Sequence, residues 1–101
     1  MKGVISVSKT VRYYNWDCNV KIEKYSKGGY AILLEDMRDG SPVATATLNI
    51  KGLRDNEVAI KNYSENEGIL DVLVDAHVIT EPIRYEQSGY VKIPVCLLIE
   101  E

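Results

Sequence analysis

The stretch that most constrains the fold is Glu57 to Ile79, EVAIKNYSENEGILDVLVDAHVI. It carries the only convincing helical periodicity in a chain of 101 residues. Ser64 followed by Glu67 has the spacing of a capping box. In that motif the hydroxyl accepts a backbone N–H of the first turn, and the carboxylate reaches back to the cap. The spacing therefore predicts a helix entered at Ser64. Glu65 and Glu67 then lie in its first turn, where the helix dipole favours anions. Asn66 and Gly68 are poor helix formers, and the cap is expected to compensate. Leu70, Leu73, Val74 and His77 recur at helical spacing and predict a buried stripe. Glu67, Asp71 and Asp75 fall at i, i+4 and i+8 on a second stripe. Like charges so spaced weaken an isolated helix by a few tenths of a kcal/mol per pair. They read as a solvated face or as a surface for a basic partner. Tyr63 and Asn66 stand at the corner before the helix, where they fix its shape or touch a ligand.

The rest of the chain reads as strands and turns. Val4 to Tyr14 is rich in β-branched and aromatic residues, with a bend near Ser8–Lys9. Cys18, Val20 and Ile22 alternate with Asn19, Lys21 and Glu23, the pattern of a half-buried strand. Lys27–Gly28–Gly29 supplies a turn, Tyr30 to Glu35 a further strand, and Asp39–Gly40 a hairpin signal. Ala44, Ala46, Leu48 and Ile50 alternate with polar residues, and the small alanines call for something bulky over them, for which the helix is the candidate. Val58 and Ile60 form a short strand before the corner. After the helix come a short strand at Ile83–Glu86, a turn at Ser88–Gly89 and a long strand from Tyr90 to Ile99. Pro94 has no N–H, so that strand is at an edge there or carries a bulge. The expected architecture is α+β: one mainly antiparallel sheet of five to seven strands with one helix packed on one face, a single domain over 1–101.

Composition narrows the chemistry. A hydrophobic fraction of 46% suffices for one core, and with no Phe the aromatic surface rests on seven Tyr and one Trp. Residues 1–54 hold nine Lys/Arg and five Asp/Glu, while residues 55–101 hold three and ten, so +4 faces −7. Such asymmetry marks an interaction surface unless the halves interleave on folding. Cys18 and Cys96 have no CxxC or Cys/His neighbourhood and read as reduced core residues. No signal-peptide pattern and no apolar run near the ~20 residues of a membrane span are present, so a cytoplasmic location is the default expectation. His77, the single histidine, reads as a partly buried helix-end residue, because no second His or Cys offers metal-ligand spacing. No nucleophile motif or phosphate loop gathers, so the expectation is no enzyme, no metal and no cofactor.

The stretches NYSENEG, LDVLVDAHVI and SGYVKIPVCLLIE resemble a family of small proteins of unknown function carried on conjugative plasmids and other mobile elements of gut bacteria. The resemblance runs from the Asp39–Gly40 hairpin to the final strand. His77 stands where that family's helix end is expected to carry glycine. The family brings no established activity, and no functional residue carries over. It implies a genomic setting in which small acidic proteins act by binding another protein, host defence machinery included.

Three readings follow. The first is a non-enzymatic module that binds a host or element-encoded protein with a basic surface through Tyr63, Asn66, Glu67, Asp71 and Asp75. The second is a nucleic-acid-associated module using Arg12, Tyr13, Tyr14, Trp16, Lys21, Lys24, Tyr25 and Lys27, which overall acidity and the interrupting Glu23 disfavour. The third is a homodimer joined through an exposed strand edge.

Overall fold

A computed structural model describes residues 4–25 and 29–99 of the chain. It is α+β and mainly antiparallel with one α-helix, but the strands form two four-stranded sheets instead of one sheet of five to seven. The first sheet takes β1 (Val4–Tyr13), β2 (Trp16–Lys24), β3 (Tyr30–Asp36) and β4 (Pro42–Thr45) in chain order. The second holds β5 (Thr47–Leu48), β6 (Glu57–Ile60), β7 (Arg84–Ser88) and β8 (Val91–Leu97) in the order β5-β6-β8-β7.

The extra sheet arises at Ala46. The alternating run from Ala44 to Ile50 reads as one strand, yet the chain changes sheets between β4 and β5, and Ile50 lies beyond both. Ala46 N–H donates to the Ile32 carbonyl in β3 at 2.8 Å, while its own carbonyl accepts Lys61 N–H, just past β6, at 2.8 Å. Strands that switch sheets in this way make the corners of orthogonally packed layers. Ala46 is fully buried. The small side chain leaves room for both backbones, which accounts for alanine here. The helix packs chiefly against β1, and the segment that meets the crossover is the corner, through Asn66.

One apolar cluster joins the layers: Val11, Cys18, Val20, Ile22, Ile32 and Leu34 from the first sheet meet Val58, Ile60, Cys96 and Leu98 from the second region, with Ile69 and Leu73 from the helix. The alternation read at Cys18, Val20 and Ile22 is therefore realised. Asp39–Gly40 does turn a hairpin, but a longer one, closed by Asp36 N–H on the Ser41 carbonyl at 2.8 Å with Gly40 at φ 76°. The Lys27–Gly28 part of the preceding turn lies outside the described residues. The bend expected near Ser8–Lys9 is an irregularity in the β1–β2 register between Ser6 and Thr10.

Pro94 ends a ladder. Leu98 N–H donates to the Asn56 carbonyl, so Asn56, Val58 and Ile60 face β8 through Leu98, Cys96 and Pro94. The next bond needs an N–H on Pro94, and the β6–β8 register stops at Ala59 opposite Val95. Beyond it β8 keeps β7 alone, with Tyr85 opposite Pro94. An edge or a bulge is the expectation at this proline; β8 is instead an interior strand that is paired on the β7 side alone at Pro94.

The helix differs from its reading. α1 spans Ile69–Asp75, and Ser64–Asn66 is a separate 3₁₀ turn. The Ser64–Glu67 capping box does not form: Ser64 has a left-handed φ of 56° and makes no side-chain cap bond. Gly68, at φ 90°, enters α1 instead. The orphan N–H of Leu70 is satisfied by Asn62 Oδ1 at 2.9 Å, from the strand side of the corner. The buried pair is Ile69 and Leu73, with Leu70 and Val74 only half-buried and His77 exposed. α1 ends in a Schellman motif: Val78 N–H reaches the Leu73 carbonyl and His77 N–H the Val74 carbonyl, both at 3.0 Å. His77 holds the left-handed position there, at φ 62°, where glycine is usual.

These caps make opposite predictions for two neighbours. Asn62→Ala is expected to lower stability by about 1 kcal/mol, the usual worth of a helix cap, whereas Ser64→Ala is near neutral. Thermal or urea melts check both, and an equal loss at Ser64 restores the capping box.

Candidate functional site

The corner at Asn62–Gly68 is held from three sides. Asn66 is buried, and its Nδ2 donates to the Thr45 carbonyl at 2.7 Å, tying the corner to the sheet crossover. Tyr13, buried at the end of β1, shares its single hydroxyl proton between the Glu65 carbonyl at 3.0 Å and the Glu67 carbonyl at 3.2 Å. Tyr14 Oη reaches the same Glu67 carbonyl at 3.1 Å. The two rings pack with centroids 4.6 Å apart. Burial pushes the Tyr13 phenol above its ordinary pKa, and Tyr14, Glu65 and Glu67 add to the effect. The phenol therefore stays protonated and remains a donor. At the far end Lys9 Nζ donates to the Ala76 and His77 carbonyls. That places a cation where the helix dipole is negative.

The five residues read as a partner site separate into two groups. Asn66 is a buried strut and is not open to a partner. Tyr63 is half-buried, with Lys61 Nζ 5.7 Å from its ring centroid. Glu67, Asp71 and Asp75 are exposed. They do not make one helical stripe, because Glu67 precedes α1 and only Asp71 and Asp75 share the i, i+4 relation. Those two lie about 200° around the helix from Ile69 and Leu73, on the side turned away from the core. No ion pair engages these three among the described residues, whereas Glu65 is bound to Lys61 at 2.5 Å. The arrangement is an acidic outer face on a firmly tethered base.

The N-terminal hairpin presents a different balance. Arg12 pairs with Asp17 at 3.1 Å, and Lys21 lies 3.4 Å from Glu23 and 3.6 Å from Glu35. Tyr14, Trp16 and Tyr25 are exposed, but Tyr13 is buried in the corner. Lys27 lies outside the described residues. Arg12 and Lys21 thus have carboxylates beside them, which weakens their pull on a phosphate backbone, while exposed Lys24 lies 5.8 Å from the Tyr30 ring centroid. A hollow of about 380 Å³ beside Trp16 is lined by Asp36 and Arg38. These two are bound to each other, Arg38 Nη2 to Asp36 Oδ2 at 2.9 Å.

Cys18 and Cys96 are both free and buried. Burial raises both thiols, Cys96 to about 11 with Glu81 contributing, so neither is a thiolate at neutral pH. Among the described residues no three His, Cys, Asp or Glu side chains are grouped to hold a metal ion, and no helix is long and apolar enough to cross a membrane.

Sequence reasoning missed the Glu57 cluster. Glu57 is buried, its Oε2 2.7 Å from Arg84 Nη1 and its Oε1 accepting Arg54 N–H at 3.0 Å. Arg84 also bonds Glu86 at 2.9 Å. The one available signal was a carboxylate inside EVAI, whose four residues are all buried. No protein-family model, curated protein or solved structure matches the chain.

The Glu57 carboxyl is held below its ordinary pKa, first by the Arg84 guanidinium and then by Arg54 N–H. A depressed folded-state value means stability that is fully present above the unfolded pKa and lost as pH falls through the folded one. Glu57→Gln is therefore expected to lower the melting temperature at pH 7 and to flatten its decline across the acid range below about pH 4.3. Parallel acid-limb slopes for the two proteins contradict the assignment.

Proposed function

We propose that this chain is a non-enzymatic protein-binding module that takes a basic partner on the outer face of α1 and the adjoining corner. The observation that carries the reading is the set of exposed carboxylates of Glu67, Asp71 and Asp75, free of described ion pairs, on a corner tethered by Tyr13, Tyr14 and Asn66. A surface whose backbone is already ordered loses little further entropy on binding. Unpaired charge of one sign steers a partner of the other and fixes its register. The resemblance to a mobile-element family supplies the setting: an accessory or anti-defence factor whose partner is a host or element-encoded protein. We assign it to the cytoplasm, with no cofactor.

The nucleic-acid reading stands second, because the carboxylates beside Arg12 and Lys21 occupy the bases it needs.

Glu67→Lys, Asp71→Lys and Asp75→Lys together are expected to leave the melting temperature within a few degrees and to weaken capture of a basic protein about 100-fold or more, since facing like charges cost several kcal/mol. Affinity capture from host lysate with mass spectrometry, run at low and high salt, reads the difference. Identical capture by the wild type and the reversed protein contradicts the proposal.

A further inference from the structure

The outer edge of the second sheet offers a surface unrelated to the acidic face. β7 is its last strand. The hairpin it begins carries three exposed large apolar side chains: Ile83 at 49%, Tyr85 at 58% and Tyr90, fully exposed. Long edge strands are ordinarily blunted. In this protein the other edges are. β1 is broken by its register irregularity, β4 has four residues beginning with Pro42, and β5 has two. β7 has five residues and no proline or lysine.

The direction of its backbone follows from two bonds. Ile83 N–H donates to the Val95 carbonyl at 2.8 Å, so Val95 faces β7. Carbonyls alternate along a strand, so Pro94 faces the β6 side. Tyr85, opposite Pro94, is then in a non-hydrogen-bonded pair with β8, and its N–H and C=O point out of the sheet. Gln87, two residues on, points the same way.

The side chains around Tyr85 complement themselves. Arg84, Tyr85 and Glu86 read cation, aromatic, anion. In an antiparallel pairing of two copies about a two-fold axis at Tyr85, each Arg84 lies opposite Glu86 of the second copy, and the tyrosines lie opposite each other. Opposite charges and aromatic pairs are favoured cross-strand neighbours, and a two-fold interface requires this kind of self-complementarity. Arg84 is already held in place by buried Glu57, and it bonds its own Glu86, so the four charges at the junction close into an alternating ring. A register centred on Glu86 instead sets two carboxylates face to face.

We propose that two copies of this chain join edge to edge through β7 in the register Tyr85 to Tyr85, making one continuous eight-stranded sheet. The interface lies on β7 and not on α1, so its failure and that of the acidic-face reading are separate results.

Light scattering across a concentration series of the full chain is expected to show a dimer. Tyr85→Pro removes the outward N–H without touching the β7–β8 ladder, and Glu86→Lys sets Arg84 against a lysine. Each is expected to abolish the dimer while far-ultraviolet circular dichroism stays unchanged. Hydrogen-bonded antiparallel partners have Cα atoms about 5.5 Å apart, within disulfide reach. Tyr85→Cys is therefore expected to cross-link two copies under mild oxidation, and Glu86→Cys to remain uncross-linked. The buried native thiols stay silent. A monomer at every concentration, a dimer that survives both Tyr85→Pro and Glu86→Lys, or cross-linking at position 86 and not at 85 overturns the proposal. Should Tyr85→Pro fail to fold, Glu86→Lys and the cysteine pair decide alone.

Discussion

The peptide groups on either side of Ala46 hold this molecule together. The N–H belongs to the first sheet and the carbonyl to the second, and both bonds are 2.8 Å long in a site closed to water. A buried backbone group left unpaired costs free energy comparable to a lost hydrogen bond. Neither sheet can therefore pull away at this point without orphaning a polar group. The neighbours reinforce the node. Thr45 gives its carbonyl to Asn66, and Thr47 Oγ1 accepts Ile32 N–H at 3.2 Å. Three consecutive residues thus bind a strand of the first sheet, the end of a strand in the second and the corner before the helix.

From that node the acidic face acquires its rigidity. A seven-residue helix is far too short to be stable alone. α1 persists because Ile69 and Leu73 are buried, because Asn62 and Lys9 satisfy its two ends, and because Tyr13 pins the carbonyls just before it. Asp71 lies in the first turn, where its charge is favoured by the helix dipole, and Asp75 in the last, where it is not. The second acid is held against local preference by the packing beneath it. On the opposite flank the edge of β7 is shaped by a different device, a proline that ends one ladder and so fixes which backbone groups of the neighbouring strand face outward.

Much of the architecture was legible in the chain because it rests on short-range rules. The alternation at Cys18, Val20 and Ile22, the Asp39–Gly40 hairpin and the missing ladder bond at Pro94 follow from period and from the chemistry of one residue. The two sheets were not legible: Ala44 to Ile50 alternates in sequence as a single strand would, yet the chain changes partners at Ala46 and buries Thr47 from the polar side of that pattern, and nothing local marks the crossing. The helix entry was misread for a related reason. Ser64 and Glu67 have the spacing of a cap, but tertiary bonds from Tyr13, Tyr14 and Asn66 impose another path on the backbone, and Ser64 takes a left-handed conformation within it. Of the site residues, Asp71 and Asp75 lie on an outer face as their spacing implies. Asn66 does not, since a polar residue at a corner can serve as strut or as contact and only its distant partner decides which. Glu57 and Arg84 are separated by 27 positions and meet only through the strand order of the second sheet.

Because they share the crossing at Ala46, the two sheets are expected to open as one unit. Native-state hydrogen exchange tests it at two amides: Ala46 N–H, which serves the first sheet, and Lys61 N–H, which serves the second. Both are expected to exchange only through global unfolding, with the same free energy and the same denaturant dependence. Exchange of either one through a smaller, local opening while the other stays protected contradicts that expectation.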